Sequence, residues 1–282
     1  MPETPARLRG KALLRWAGLA VLAACLVYLA LAVSRLDLAP LMARLGWRDW
    51  LGVAALAAAY AVSLTLLAAA WSALAAPDRK LSAAQAVAIY GPGTIAKYLP
   101  GSVFQYASRH VMGRGQGLAH GAMAHASLVE AALHVAVALA LAAGLLARGG
   151  LWVPILFAGV GGALALPSTR PLVRSLALQL LFFAAFALIV VALGSLGGIA
   201  DEPGRLAGYF FVAWVAGFLV PIAPGGIGVR EAVLMALAGP VEGAGAAAML
   251  ALLARLVGIA GDGLFGLAGY LSGARSNTQA SG

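Results

Sequence analysis

The chain of 282 residues contains one cysteine, Cys25, and little charge of either sign. A single cysteine excludes an intrachain disulfide and a metal site built from several thiolates. Charged residues make up 10% of the sequence and hydrophobic residues 62%. Soluble domains average about 25% charged and about 45–50% apolar residues, so this composition predicts an integral membrane protein.

Acidic residues are the scarcer charged type, with 10 Asp and Glu against 19 Lys and Arg. Aromatic residues do not interleave with a basic patch, so the positive balance does not indicate a nucleic-acid partner. The sequence also lacks an H-E-x-x-H motif and any cluster of carboxylates. We therefore expect no metal site and no cofactor.

Long apolar runs are the main signal in what the sequence does contain. Crossing about 30 Å of hydrocarbon at about 1.5 Å per residue takes about 20 residues in a helix. Several charge-free runs reach this length, and two further runs contain internal charges. The predicted crossing helices are 16–33, 50–77, 121–147, 149–169, 175–200 and 243–274.

Two Pro-Gly breaks interrupt other apolar stretches, and an arginine follows each break. The first is KYLPGSVFQYASR at 97–109, and the second is VPIAPGGIGVRE at 220–231. In hydrocarbon, a broken helix is tolerated only where it is buried in protein or lines a polar cavity. We therefore predict two re-entrant helical hairpins with helix breaks at Pro100, Gly101 and Pro224.

The order of these elements predicts an inverted repeat. Lys and Arg are concentrated on the segments assigned to the inside, whereas the outside arginines are balanced by acids, which predicts that both termini are cytoplasmic. Unit 50–147, with its hairpin at 82–113, then enters from the cytoplasm, and unit 175–272, with its hairpin at 206–239, enters from outside. The predicted fold is an all-α polytopic membrane protein of the bacterial inner membrane. It forms a single domain over 1–282, with about six transmembrane helices and two re-entrant hairpins, as in many secondary transporters.

Seven ionisable residues lie in or beside the apolar stretches, where each charge costs at least about 2.5–3.5 kcal/mol on insertion scales. They are Lys97, Arg109, Glu130, Arg230, Glu231, Arg255 and Asp262. Four are cations and three are anions, so mutual pairing cannot neutralise all of them. An anionic ligand would neutralise the cation that remains.

The hairpin arginines are the leading candidates for substrate binding. A guanidinium fork suits a phosphate, and the helix that starts after a Pro-Gly break adds exposed N–H groups. Gly225, Gly226 and Gly228 permit positive φ angles and close approach of the backbone to a ligand. Lys97 and Arg255 complete the predicted substrate site. The alternative is that Arg230 and Arg109 reach headgroups at the membrane surface, or pair with Glu231 and Glu130 as structural contacts.

Glu130 and His134 lie four residues apart on one helix face, which permits a proton-coupled gate. The alternative is a Glu130 carboxylate bound to Arg109 or Arg255, with His134 a hydrogen-bonded polar residue of the bundle. Glu231 and Asp262 are the other candidates for proton coupling or gating. For Asp262 the role of counter-charge to an arginine is equally open.

Four motifs give the chain a family resemblance: KYLPG before Arg109, LVE at 128–130, PIAPGGIGVREA at 221–232 and LLARLV at 252–257. Together they resemble the integral-membrane flippase-like domain of lysylphosphatidylglycerol synthases and its stand-alone relatives. The resemblance covers residues from about 50 to 270. It implies lipid translocation, or a supporting role in envelope glycolipid or hopanoid pathways. The chain has no aminoacyltransferase domain after the membrane part, so lysyl transfer by this chain alone is not expected.

Three functions are compatible with these features. The first is translocation of an anionic or phosphate-bearing lipid, or of a lipid-linked intermediate. The second is a membrane enzyme such as a glycosyltransferase, which needs acidic residues at a surface loop. The stretch 34–49 offers only Asp37 and Asp49. The third is a subunit that supports an envelope-biosynthesis enzyme, for which the glycine-rich last helix would provide a packing surface. The buried cations favour the first, with a membrane lipid as the partner.

Overall fold

The computed structural model describes residues 43, 45–78, 81–98, 104–148, 150–165, 170–220 and 223–280. Over these ranges the regular structure is helical, as the apolar runs predict. The first predicted crossing, 16–33, and the predicted breaks at Pro100 and Gly101 lie outside the described residues.

The described helices follow the predicted order closely. They are α1 Trp47–Ala75, α2 Ala83–Ala96, α3 Phe104–Gly115, α4 His120–Arg148, α5 Trp152–Ala165, α6 Pro171–Ser195, α7 Pro203–Leu219, α8 Val229–Glu242 and α9 Ala244–Ala280. Short 3-10 turns occupy Leu196–Gly198 and Pro224–Gly226. Among the described helices, α1, α4, α6 and α9 are long and apolar enough to cross a membrane. The chain is therefore an α-helical membrane protein.

Helix α5 is shorter than the predicted crossing at 149–169. It has 14 residues, and a helix of that length extends only about 21 Å at about 1.5 Å per residue. The hydrocarbon core is about 30 Å thick, so α5 accounts for about two thirds of a crossing, and residues 149 and 166–169 of the predicted span lie outside the described residues. Helix α5 packs along α6, where Gly161 lies against the carbonyl of Ala177.

Each Pro-Gly segment separates two short helices whose outer ends meet. Gln85, at the start of α2, donates a hydrogen bond to Gln116, just beyond α3, with 3.3 Å between Nε2 and Oε1. Arg205, at the start of α7, forms a salt bridge with Glu242, the last residue of α8. We call α2 and α3 the first hairpin, and α7 and α8 the second hairpin.

The long helices exchange partners between the two halves of the chain. Helix α9 packs against α2 of the first hairpin, and α4 packs against α7 of the second hairpin, while α1 and α6 pack against each other. This reciprocal packing is the pattern expected for two halves related by a two-fold axis. It places each hairpin against a long helix from the other half of the chain, while the inverted units 50–147 and 175–272 stay a prediction.

Glycines allow the closest of these approaches, between α9 and α2. A Cβ atom on Gly269 would lie 3.0 Å from the Cα of Gly91 and 2.8 Å from the carbonyl oxygen of Val87. Gly261 and Gly266 also pack against neighbouring residues, whereas Gly258 and Gly263 have open space around them. The glycine-rich last helix therefore packs within the chain along one face.

Candidate functional site

Two adjoining cavities lie between the hairpins and the long helices. The large cavity has a volume of about 90 Å³ and the small cavity about 40 Å³. Tyr60, Lys97 and Arg230 border both. The Lys, Arg, Asp and Glu residues around them, among those described, are the seven that the sequence places in or beside apolar stretches. The fold thus gathers these charges, distributed along about 165 residues, at one place.

The cavities lie near the middle of the membrane-spanning helices. Tyr60 of α1, Glu130 of α4 and Asp262 of α9 are each at least 10 residues from either end of their spans. At about 1.5 Å per residue, that places them at least about 15 Å from the helix ends. A charge at this depth requires a partner, water or a ligand.

Three of the four cations each form a salt bridge with a carboxylate on a different helix. The pairs are Lys97–Asp262, Arg109–Glu130 and Arg255–Glu231. Each carboxylate therefore has a cationic partner. The fourth cation, Arg230, has no carboxylate partner among the described residues.

Arg109 and Glu130 form a buried ion pair between α3 and α4, in which Arg109 Nε has no hydrogen-bond partner among the described residues. Arg109 Nη1 lies 2.5 Å from Glu130 Oε2, and the hydroxyl of Tyr90 donates to Oε1 at 2.8 Å. The guanidinium carbon of Arg109 also lies 3.6 Å from the centroid of the Tyr90 ring. Of the alternatives for Glu130, the structure thus contains a salt bridge to Arg109 and not one to Arg255.

His134 is packed among aromatic rings beside this pair. Its Nδ1 is 2.9 Å from the carbonyl oxygen of Glu130, one turn earlier on α4. The rings of Trp214 and Phe218 stack on it at centroid distances of 6.1 and 5.9 Å, and the ring of Phe183 meets it edge-on at 5.4 Å. This geometry is that of a hydrogen-bonded polar residue in the bundle, and a role in proton coupling stays a prediction.

Asp262 receives two donors on one oxygen and none on the other. Lys97 Nζ lies 2.7 Å from Oδ2, and the Tyr98 hydroxyl donates to the same atom at 2.6 Å. Oδ1 is buried and has no hydrogen-bond partner among the described residues. Asp262 is therefore the counter-charge of a lysine, not of an arginine, and keeps one acceptor unused.

Glu231 binds Arg255 and also caps its own helix. Arg255 Nε lies 2.9 Å from Glu231 Oε1, and the backbone N–H of Gly228 donates to Oε2 at 2.7 Å. Arg255 Nη1 donates further to the carbonyl of Gly225 at 3.1 Å. The expected alternative, in which Glu231 neutralises Arg230, is not the pairing in the structure, because Arg255 reaches the carboxylate from α9.

Arg230 is the cation that remains. Its side chain passes through a slot between two glycines, since a Cβ on Gly217 would overlap Arg230 Cγ and a Cβ on Gly226 would lie 2.5 Å from Nε. The guanidinium carbon lies 5.2 Å from the centroid of the Trp214 ring. Nε is buried and has no hydrogen-bond partner among the described residues. Arg230 thus borders both cavities with an unneutralised charge.

The two hairpins hold their arginines in matching ways. In each, an aromatic residue and the glycine three positions later lie on the first limb, and the arginine comes from the second limb. The two sets are Tyr90, Gly93, Arg109 and Trp214, Gly217, Arg230. They differ in the charged residue that the following long helix brings close. Helix α4 brings Glu130, which pairs with Arg109, whereas α9 brings a second cation, Arg255, to the side of Arg230.

The predicted helix break at Pro224 is present, since α7 ends at Leu219 and the 3-10 turn precedes α8. Its glycines adopt the predicted positive φ angles, +57° at Gly225, +72° at Gly226 and +83° at Gly228. Their N–H groups are bonded within the chain, to Lys97 O, Ala223 O and the Glu231 carboxylate respectively. The groups that approach Gly225 and Gly226 closely are the side chains of Tyr98 and Arg230. These contacts join the tip of α2 to the second break.

Several residues of the site were not predicted: Tyr60, Tyr90, Tyr98, Trp214 and Gly217. They are apolar or weakly polar, so a search for buried charge does not find them. The signal that the sequence did contain is an aromatic residue three positions before a glycine, at the same point of both first limbs. In the part of the chain that is described, no three His, Cys, Asp or Glu residues group closely enough to hold a metal ion.

Comparisons of the chain with protein-family models, with curated proteins and with solved structures found no match. The resemblance to the flippase-like domain therefore remains a prediction from sequence motifs, and the function is argued from the site.

Proposed function

We propose that this chain is a transporter that binds the phosphate of an anionic lipid, or of a lipid-linked intermediate, at Arg230 and moves it across the bacterial inner membrane. The observation that carries the proposal is the Arg230 guanidinium, which lies at membrane depth without a carboxylate partner among the described residues. The sequence motifs that resemble a flippase-like family imply the same activity.

An unneutralised guanidinium at this depth is costly, because a charge removed from water needs an opposite charge or hydrogen-bond acceptors. A phosphate supplies both. Its oxygens match the planar fork of an arginine, and such charge-assisted bonds are about twice as strong as neutral ones. The guanidinium carbon lies 5.2 Å from the centroid of the Trp214 ring, and the side chain borders both cavities, where a ligand would meet it.

The size of the cavities favours entry of a headgroup without its acyl chains. About 90 Å³ is space for a phosphate and a few attached atoms. The chains then stay in the bilayer while the headgroup crosses through the protein. In this mechanism the hairpins are re-entrant, and the two units rock against each other around the site.

Arg109 is the counterpart of Arg230 in the other unit. Its charge is neutralised by Glu130 in this conformation, so a headgroup phosphate binds at Arg230 first. Passage to Arg109 requires Glu130 to release the guanidinium. The lipid then passes from one hairpin to the other as the units move.

Translocation by the pure protein tests this proposal. The chain is reconstituted into liposomes with a trace of a fluorescent anionic phospholipid, and transfer between leaflets is measured by quenching with an impermeant reductant. Arg230→Lys keeps the charge but loses the fork, so we expect a large reduction in rate, and Arg230→Ala should lose nearly all activity. Arg174→Ala, an exposed arginine of α6, is the matched control.

A wild-type rate in Arg230→Ala would reject the site. The absence of translocation by the folded wild-type protein would reject the transporter. In that case, either the membrane enzyme or the supporting subunit becomes the better interpretation.

A further inference from the structure

We infer that the site selects a phosphodiester headgroup that has one negative charge and a free hydroxyl group, and that it discriminates against zwitterionic and phosphate-monoester headgroups. This inference deepens the proposed function and rests on it. Two independent observations carry it: the charge balance of the residues around the cavities, and one unpaired donor and one unpaired acceptor on side chains that border the small cavity.

The charge balance sets the charge of the ligand. The described Lys, Arg, Asp and Glu residues that border the cavities are four cations and three carboxylates. His134 is surrounded by aromatic rings and is counted as uncharged in this charge balance. One positive charge therefore remains, and a single negative charge on a headgroup neutralises it.

A second negative charge would find no unneutralised cation, because Lys97, Arg109 and Arg255 are each paired with a carboxylate. Both oxygens of Glu130 are occupied, by Arg109 and Tyr90, and both oxygens of Glu231 are occupied, by Arg255 and the Gly228 N–H. A dianion would have to break one of these buried pairs and expose its carboxylate to hydrocarbon. A zwitterion would bring an ammonium group and leave the positive charge uncompensated.

The unpaired atoms indicate the rest of the headgroup. Arg230 Nε is a buried donor without an acceptor, and Asp262 Oδ1 is a buried acceptor without a donor, among the described residues. Both side chains border the small cavity. A phosphate oxygen satisfies the first atom, and a neutral hydroxyl group satisfies the second without adding charge.

Four lipid probes separate charge from hydroxyl content in the reconstituted full chain at pH 8. Phosphatidylglycerol has one negative charge and free hydroxyls, and phosphatidylmethanol has the charge without a hydroxyl. Phosphatidylethanolamine is zwitterionic, and phosphatidic acid is a monoester with about −1.5 to −2 charges, as for other phosphate monoesters. Phosphatidylglycerol should be translocated at least about tenfold faster than each of the other three, since each leaves a buried charge or polar atom unmatched.

A charge variant tests the balance directly. Glu130→Gln releases Arg109 and adds one positive charge, so the rate for phosphatidic acid relative to phosphatidylglycerol should rise at least about tenfold. Arg109→Gln combined with Glu130→Gln restores the charge balance but removes the second arginine of the proposed path. Its readout is therefore the ratio of the two lipids bound to the purified protein in detergent, which should equal the wild-type ratio, whereas the bound ratio in Glu130→Gln should shift towards phosphatidic acid.

The outcomes distinguish this inference from the proposed function. If the wild-type protein moves no probe, the transporter itself is rejected. If it moves all the anionic probes equally, or prefers phosphatidylethanolamine, the charge match is overturned while the transporter stands. Equal rates for phosphatidylmethanol and phosphatidylglycerol would overturn the hydroxyl contact at Asp262. An unchanged ratio in a folded Glu130→Gln protein would overturn the charge count.

Discussion

Arg255 of α9 holds the carboxylate of Glu231, with its Nε 2.9 Å from Oε1. Glu231 is the residue that follows Arg230, and its other oxygen accepts the N–H of Gly228. The nearest carboxylate in sequence is therefore paired with Arg255 and not with Arg230. The free charge of Arg230 is thus a consequence of how α9 packs against the second hairpin.

This pairing predicts a specific pattern of stabilities. Removing either partner of a buried ion pair leaves the other uncompensated, which costs about 3–5 kcal/mol. Glu231→Ala and Arg255→Ala should each lower the thermal unfolding temperature in detergent, and the double variant should recover much of the loss. A double variant with the summed loss of both single variants would show that the residues act independently.

The same measurement separates Arg230 from this pair. Adding Arg230→Ala to Glu231→Ala should recover less stability than adding Arg255→Ala does, because Arg255 then remains without its carboxylate. Recovery of both stability and translocation in that variant would mean that Glu231 neutralises Arg230, and Arg230 would then be a structural contact.

The glycine slot gives a second prediction. In Gly217→Ala the added Cβ would overlap Arg230 Cγ, so the guanidinium has to leave its place beside Trp214. We expect translocation to fall by about tenfold or more, although alanine favours the helix by about 0.8–1 kcal/mol over glycine. Gly263→Ala in α9 is the control, because no atom lies within 4 Å of its Cβ position and the residue borders neither cavity. Equal rates in the two variants would contradict the slot.

Much of the architecture was predictable because apolar length and Pro-Gly breaks are local signals. Helices α1, α4, α6 and α9 coincide with predicted crossings, and α7 and α8 flank the predicted break. The crossing at 149–169 is described only in part, as helix α5, so its full length stays a prediction.

The charges of the site were predictable, but of their pairing only Arg109–Glu130 was among the predicted alternatives. Lys97 and Asp262 lie 165 residues apart in sequence, and only the packing of α9 on α2 brings them together. Four cations and three anions cannot all pair, so the sequence indicated that one cation would have no carboxylate partner, but it did not indicate which one. That depends on whether α9 presents Arg255 or a carboxylate to the second hairpin, which is a tertiary feature.

Close packing of α9 on α2 gives a third prediction. A Cβ on Gly269 would lie 2.8 Å from the Val87 carbonyl and 3.0 Å from Gly91 Cα, which are backbone atoms that cannot rotate away. Overpacking of this kind costs about 1–3 kcal/mol, so Gly269→Ala should unfold at a lower temperature in detergent. Gly263→Ala, on the open face of the same helix, should not. An unchanged unfolding temperature in Gly269→Ala would mean that the two helices can separate at little cost.

The last prediction concerns the side of the membrane from which each hairpin enters. The limbs of the first hairpin have 14 and 12 residues, which is about 21 and 18 Å at about 1.5 Å per residue. Neither crosses about 30 Å of hydrocarbon, and Gln85 and Gln116 hold the two outer ends together. Arg205 and Glu242 do the same for the second hairpin. Both ends of a hairpin should therefore face one compartment.

Single cysteines in a Cys25→Ala background test this at exposed positions beside each hairpin. Asp78→Cys and Ala119→Cys flank the first hairpin, and Asp201→Cys and Ala244→Cys flank the second. In intact spheroplasts, an impermeant thiol reagent should label only the second set, because loop charges place the first set in the cytoplasm. All four should be labelled after lysis, which controls for reactivity. Labelling of one member of a set but not the other in intact cells, with both reactive after lysis, would mean that the limbs cross the membrane, and the re-entrant hairpin would be wrong.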